Sequence, residues 1–167
     1  MIARFRWTFL FGLGVFLLDR VAKIAVLNHF TLGEARPFIP GIMQLRYIQN
    51  TGMAFGFLGD HQWISILLTP VIIAVLLVLL ARNVFPCPLC QLTLGGIMAG
   101  GLGNWTDRLV YGFVVDMFEF TFFRFAVFNV ADIFITVGAV VLIIAYALSE
   151  WRADRQRRLK AAESSDE

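Results

Sequence analysis

WISILLTPVIIAVLLVLLA, Trp63 to Ala81, carries no charged residue from end to end. A helix needs about 20 residues to cross about 30 Å of hydrocarbon, and this stretch suffices. The rest of the chain agrees with it. Of its 167 residues 59% are hydrophobic and only 16% charged, against about a quarter charged in an average soluble domain. Three further spans read outward from it, about Trp7 to Leu27, Leu89 to Leu109 and Val130 to Leu148. The first is interrupted late by Asp19, Arg20 and Lys23. The third is rich in glycine and gains Asp107 and Arg108 at its far end, and the fourth holds Asp132 in its first turn.

Basic residues set the orientation. Arg4 and Arg6 precede the first span, Arg82 follows the second, and Arg152, Arg155, Arg157, Arg158 and Lys160 follow the fourth. With four crossings all lie on one side, and the side rich in Lys and Arg is normally cytoplasmic. Trp7 and Trp151 then fall at the inner interface and Trp63 and Trp105 at the outer one, the headgroup layers that tryptophan favours. The pattern predicts an all-α polytopic membrane protein, four transmembrane helices in a single domain, 1–167, with both termini inside. The first apolar stretch runs into Leu18, Asp19 and Arg20 without a small-residue cleavage site, so it is expected to stay as an anchor. Residues from about 150 to 167 are expected to form a solvated, frayed cytoplasmic tail. Cys87 and Cys90 are expected as reduced thiols in an inner turn, because zinc would need two more ligands and the only histidines, His29 and His61, fall on the opposite side.

Two segments face outward. In the first, about 29–62, Met43, Leu45 and Tyr47 alternate with Gln44, Arg46 and Ile48, which predicts a short strand with one apolar face. Pro37, Pro40 and Gly41 punctuate its start, Asn50 to Gly52 reads as a turn, and MAFGFLG adds aromatic and small residues. The strand implies a small β-sheet on the outer face, paired within itself as a lipid surrounding demands. The second outward segment contains FVVDMFEFTFFRFAVFNVADIF, Phe113 to Phe134, in which Asp116, Glu119, Arg124 and Asp132 interrupt an aromatic run.

Ionisable residues at membrane depth are costly and usually face protein or water with a partner. Asp19 and Lys23 are four apart on one helical face and able to pair. Gly96 and Gly100 make a GxxxG surface for close helix packing, and Asn104 and Asp107, three apart, overlie one another. Asn129 suits the N-cap of the fourth span, with Asp132 at the third helical position completing a capping box. A helix N-terminus favours negative charge at Asp132, whereas the apolar run around Asp116 raises a carboxyl pKa. Two carboxyls pushed apart in this way suit one base and one acid. Other chemistries are poorly supplied: no HExxH is present, and Ser65, Ser149, Ser164 and Ser165 all lie outside the outer cluster.

Asp19 with Lys23, NTGMAF from Asn50, GGLGNWTDR from Gly100, VVDMF around Asp116 and FNVADIFI from Phe128 stand in an order that resembles the lipoprotein signal peptidases, bacterial membrane aspartic proteases. Met53 stands where that family more often has alanine. The resemblance implies a catalytic dyad of Asp116 and Asp132. It implies that Asn50, Gly52, Asn104, Asp107, Arg108 and Asn129 line or brace the site, with Asp19 and Lys23 behind them. It further implies cleavage of a prolipoprotein just before its lipid-modified cysteine, at the extracytoplasmic face of the bacterial inner membrane, by a monomer using no metal or organic cofactor. Nucleic acid is not expected as a partner, and membrane lipid is. Arg108 is expected to hold Asp107 or a lipid phosphate, and the aromatic stretch from Phe118 to Phe128 to clamp substrate. An ion- or proton-coupled transporter is the alternative, since buried carboxylates also mark ion pathways, but the second span offers such a path only Ser65 and Thr69. A third possibility is an assembly factor whose charged pairs only lock helices together.

Overall fold

The computed structural model describes residues 2–52 and 62–163. Among these the elements run α1 (Ile2–His29), β1 (Ala35–Ile39), β2 (Met43–Asn50), α2 (Gln62–Ala81), α3 (Pro88–Tyr111), β3 (Val114–Phe120) and α4 (Val130–Glu163). Every apolar span read from the sequence falls in a helix. Two of them, α2 and α4, are long and apolar enough to cross a membrane on those grounds alone. Charge interrupts α1, and glycine with polar residues dilutes α3.

Helix α3 is the hub, packed against α1, α2 and α4, and its small residues are the reason. A β-carbon at Gly95 would sit 2.5 Å from the Thr8 carbonyl oxygen of α1, and one at Gly100 would sit 2.6 Å from that of Ala131 in α4. No other residue type permits those approaches. Helix α2 joins the hub through a different device. Pro70 lies inside it and has no N–H, so the Ile66 carbonyl one turn earlier loses its helical donor. The indole Nε1–H of Trp105 in α3 donates to that carbonyl at 2.9 Å. Trp105 is therefore a packing and hydrogen-bonding residue, more than the interfacial marker its position suggests.

The sheet is antiparallel with order β1-β2-β3. The strand expected at Met43 to Gln49 is β2. The other two carry no such alternation: Pro37 hides β1, and β3 begins the aromatic run that starts at Phe113. The sheet subdomain is thus built from two separated segments, not from an insertion at about 29–62 alone. Tyr47, Val115 and Met117 bury against Val26 near the end of α1, which seats the sheet on the helices. Pairing shifts between Leu45↔Phe118 and Ile48↔Asp116, a bulge of the kind that re-aims a strand beside a site. Beyond β3 the chain loops back so that Phe128 pairs with Phe118, which delivers Asn129 to the flank of β3. The turn expected at Asn50 to Gly52 is present, with Gly52 N donating to Asn50 Oδ1 at 3.0 Å. The stretch MAFGFLG lies outside the described residues.

One expectation is bounded and another fails. The C-terminal segment is helical through Glu163, because its Ala, Lys, Arg and Glu residues favour helix. Helix α4 thus extends into the polar tail, and the end expected to fray, 164–167, lies outside the described residues. Cys87 and Cys90 form a disulfide rather than two thiols. Cys87 caps α3 and Cys90 lies in its first turn, with Cα atoms 5.2 Å apart, within disulfide reach.

The glycines provide a test of the packing. Gly14 has open space around its position, so Gly14→Ala stabilises α1 by up to about 1 kcal/mol. Gly100→Ala drives a methyl into the α4 backbone and costs about 1–3 kcal/mol. Melting of the two purified variants in one detergent should bracket the parent from opposite sides.

Candidate active site

The C-terminal half of α1 supplies Asp19, Arg20 and Lys23, and all three turn inward. Lys23 Nζ lies 3.0 Å from Asp19 Oδ2 and 2.8 Å from Asp107 Oδ2. Arg20 reaches the same two acids, at 2.9 Å to Asp19 and 2.6 Å to Asp107. Two cations and two carboxylates thus close into a neutral quartet between α1 and α3. The expected Asp19–Lys23 pair is half of it. Arg20 was missed as a member, although its place beside Asp19 and three before Lys23 was the available signal. The acids also organise the backbone: Asp19 Oδ1 accepts from Ala131 N at the start of α4, and Asp107 Oδ2 accepts from Val115 N of β3. Arg20 reaches further to the Gly103 carbonyl at 3.0 Å.

Asp116 and Asp132 stand apart from those cations. Asp116, on β3, is 1% exposed and accepts from Asn50 Nδ2 at 2.8 Å and Asn129 Nδ2 at 2.6 Å. Asp132 accepts from Asn104 Nδ2 at 2.8 Å and from the Asn129 backbone N at 3.2 Å. Asn129 Oδ1 in turn accepts from Asp132 N at 3.0 Å, which completes the capping box read from the sequence. One asparagine therefore holds both acids, Asp116 by its side chain and Asp132 by its backbone. Among the described residues neither acid enters an ion pair; amides alone hold them. Lys23 touches this group only through Asn104, donating to its Oδ1 at 2.7 Å. Asn129 Nδ2 donates to the same oxygen at 3.1 Å.

Burial, and secondly the charge of nearby Asp132, push the Asp116 carboxyl up to about 7, against opposing pulls from Asn50, Asn129 and Lys23. The upward direction expected from its apolar run is present. Desolvation of the carboxylate is the physical cause.

Arg108 does not pair with Asp107, one of the two partners expected for it. Arg20 and Lys23 occupy that carboxylate, and Arg108 donates to the carbonyls of Asn104 at 3.2 Å and Gly52 at 3.0 Å. It ties the turn after β2 to the end of α3, beside Asp116 and Asp132, whose charges it feels. Every candidate residue from the sequence thus falls in one connected region at the C-terminal ends of α1 and α3 and the N-terminal end of α4. Glu119 and Arg46, farther out on the sheet, pair with each other at 3.1 Å. The aromatic run packs on itself, with Phe120 against Phe122, Phe123, Phe125 and Phe128.

This geometry has relatives. The profile of a family described as Signal peptidase (SPase) II matches residues 11–148. Lipoprotein signal peptidases of Streptococcus pyogenes, serotypes M2 (strain MGAS10270) and M5 (strain Manfredo), are each 43% identical over 127 residues, covering 76% of this chain and 84% of theirs. A bacterial membrane enzyme solved by the in meso method at 2.3 Å superposes with a TM-score of 0.81 at 26% identity, covering 86% of this chain and 88% of that one. A second, solved at 1.9 Å, gives 0.76 at 27% identity, covering 83% and 90%. The transporter alternative finds no support among these likenesses. On the extent of the family match and the 43% identity along most of its relatives' length, the chain belongs to the signal peptidase II family, bacterial membrane aspartic endopeptidases.

Proposed function

We propose that Asp116 and Asp132 are the catalytic dyad with which this enzyme removes signal peptides from prolipoproteins, cutting just before the diacylglyceryl-modified cysteine. Removal of the signal peptide is the activity of the family; the residues and the bond cut are our reading. One observation carries it. Both acids hang on Asn129, and neither enters an ion pair among the described residues: Arg20 and Lys23 are taken by Asp19 and Asp107, and Arg108 is held by the carbonyls of Asn104 and Gly52. A carboxylate locked to a permanent cation cannot exchange protons near neutral pH, and one held by amides can.

Asp116 carries the shared proton at rest, and Asp132, at the N-terminus of α4, is the ionised partner. Asp132 takes a proton from a water whose oxygen attacks the scissile carbonyl carbon, while Asp116 gives its proton to the carbonyl oxygen. The tetrahedral intermediate collapses as protonated Asp132 delivers its proton to the cysteine nitrogen. The C–N bond breaks, and the hydroxyl proton returns to Asp116. Asn50 and Asn129 orient Asp116, Asn104 orients Asp132, and Arg108 holds the turn at Gly52. No step calls for a metal.

The enzyme is a bacterial membrane protein. We assign four crossings, with both termini cytoplasmic and the dyad at the extracytoplasmic face, in a single domain that acts as a monomer. The apolar exposure of α1 supports the assignment: Phe9 is 70% and Val21 65% exposed, surfaces that suit lipid and not water.

Three outcomes test these statements. Asp116→Asn and Asp132→Asn should fold with parental melting, yet process a lipidated precursor on the order of 10³-fold more slowly or worse; loss of folding would leave the acids structural. Removing Asn50 deletes a hydrogen bond that lowers the Asp116 pKa, so Asn50→Ala should move the alkaline limb of the kcat/KM profile upward from about 7. An unmoved or lowered limb contradicts the acid role. A fluorescent reporter fused after Glu167 should glow, and an exported phosphatase reporter there should be inactive.

A further inference from the structure

Helices α1 and α2 both pack on α3 yet make little direct contact with each other. Between them lies an apolar groove of about 610 Å³, walled by residues such as Phe9, Leu13, Leu77 and Leu80 and floored by Ala99 and Leu102. Its lining runs from Phe5 to Phe16 along α1 and ends on α2 at Leu80 and Ala81. In the proposed topology this is the cytoplasmic half of the membrane, and any ligand assigned to the groove depends on that orientation. Arg6 follows Phe5, and Arg82 follows Ala81, so a basic residue stands next in sequence to the lining at the same end of each wall. Both are exposed. Among the described residues Arg82 has no ion pair or side-chain hydrogen bond, and Arg6 only lies over the Trp7 ring at 5.1 Å.

We propose that this groove holds an acyl chain of an anionic phospholipid from the cytoplasmic leaflet, with Arg6 and Arg82 flanking its headgroup. Basic pockets between transmembrane helices on that side suit such headgroups. The substrate's signal helix fits worse, because the groove lies on the wrong face of α3. Leu102 lines it, whereas Asn104, two residues on and so about 200° around the helix, holds Asp132.

Native mass spectrometry of the purified enzyme, released from micelles after mixing with equal phosphatidylglycerol and phosphatidylethanolamine, tests this. One phosphatidylglycerol should stay bound. Arg6→Gln with Arg82→Gln should lower that retention on the order of tenfold or more, with processing in micelles unchanged. Ala99→Phe, which fills the floor, should also lower it. A photo-crosslinker at Leu77 should label phospholipid. Equal retention of both lipids, retention unchanged in the double variant, or labelling of the precursor's signal peptide would each overturn the proposal. Asp116→Asn should retain lipid like the parent, which separates this result from the fate of the catalytic assignment.

Discussion

The quartet of Asp19, Arg20, Lys23 and Asp107 is the interaction on which the rest of the structure depends. Burying one charge of this kind alone costs several kcal/mol, and only good geometry with full hydrogen bonding recovers it. Here two cations and two anions meet at 2.6–3.0 Å, and Asp19 and Asp107 direct remaining lone pairs to the first turn of α4 and to β3. Removing any member strands a charge of the opposite sign. The quartet therefore fixes where α4 begins and where β3 lies, and those elements carry Asp132 and Asp116. It also neutralises Arg20 and Lys23. Lys23, which would otherwise hold either acid ionised, reaches their network only through the Asn104 amide.

The molecule inverts the burial pattern of a water-soluble domain. Asp19, Asp107 and Asn129 are 0% exposed, while Ile143 and Leu67 are 69% and 63% exposed. Against lipid, apolar side chains gain nothing by turning inward, so packing falls to small residues and to hydrogen bonds across helices. That explains why α3 is the hub: it offers glycine to α1 and α4, and Trp105 to the carbonyl that Pro70 leaves free in α2. Helices α1 and α2 each pack on α3 and make little contact with one another.

How far the sequence reveals this depends on the range of each interaction. Local patterns were legible. Uncharged or nearly uncharged runs marked α2 and α4, alternation from Met43 marked β2, and the spacing of Asn129 and Asp132 marked the capping box. Interactions between distant segments were not. β1 and β3 carry weak signals of their own and become strands by pairing with β2. Arg20 looked like an interruption of an apolar span until α3 brought Asp107 to it. Arg108 seemed the natural partner of its neighbour Asp107, but adjacent residues on a helix point about 100° apart, and α1 had already filled the place. The disulfide at Cys87 and Cys90 depends on a helix cap that composition does not announce.

Asn129 shows how closely folding and chemistry are joined. As the N-cap of α4 it satisfies the backbone N–H of Asp132, and through Nδ2 it grips Asp116 on a strand that reaches it only because Phe128 pairs with Phe118. A cap ordinarily contributes about 1 kcal/mol to a helix. Here the same side chain also fixes the relation between the two acids, so the position of α4 and the proton sharing proposed for them rest on one residue. A serine or aspartate would cap the helix as well. Neither carries the amide N–H₂ that donates to a carboxyl and to Asn104 while the amide oxygen accepts from the helix. The identity of residue 129 is thus dictated by the acid across from it and not by the helix it begins.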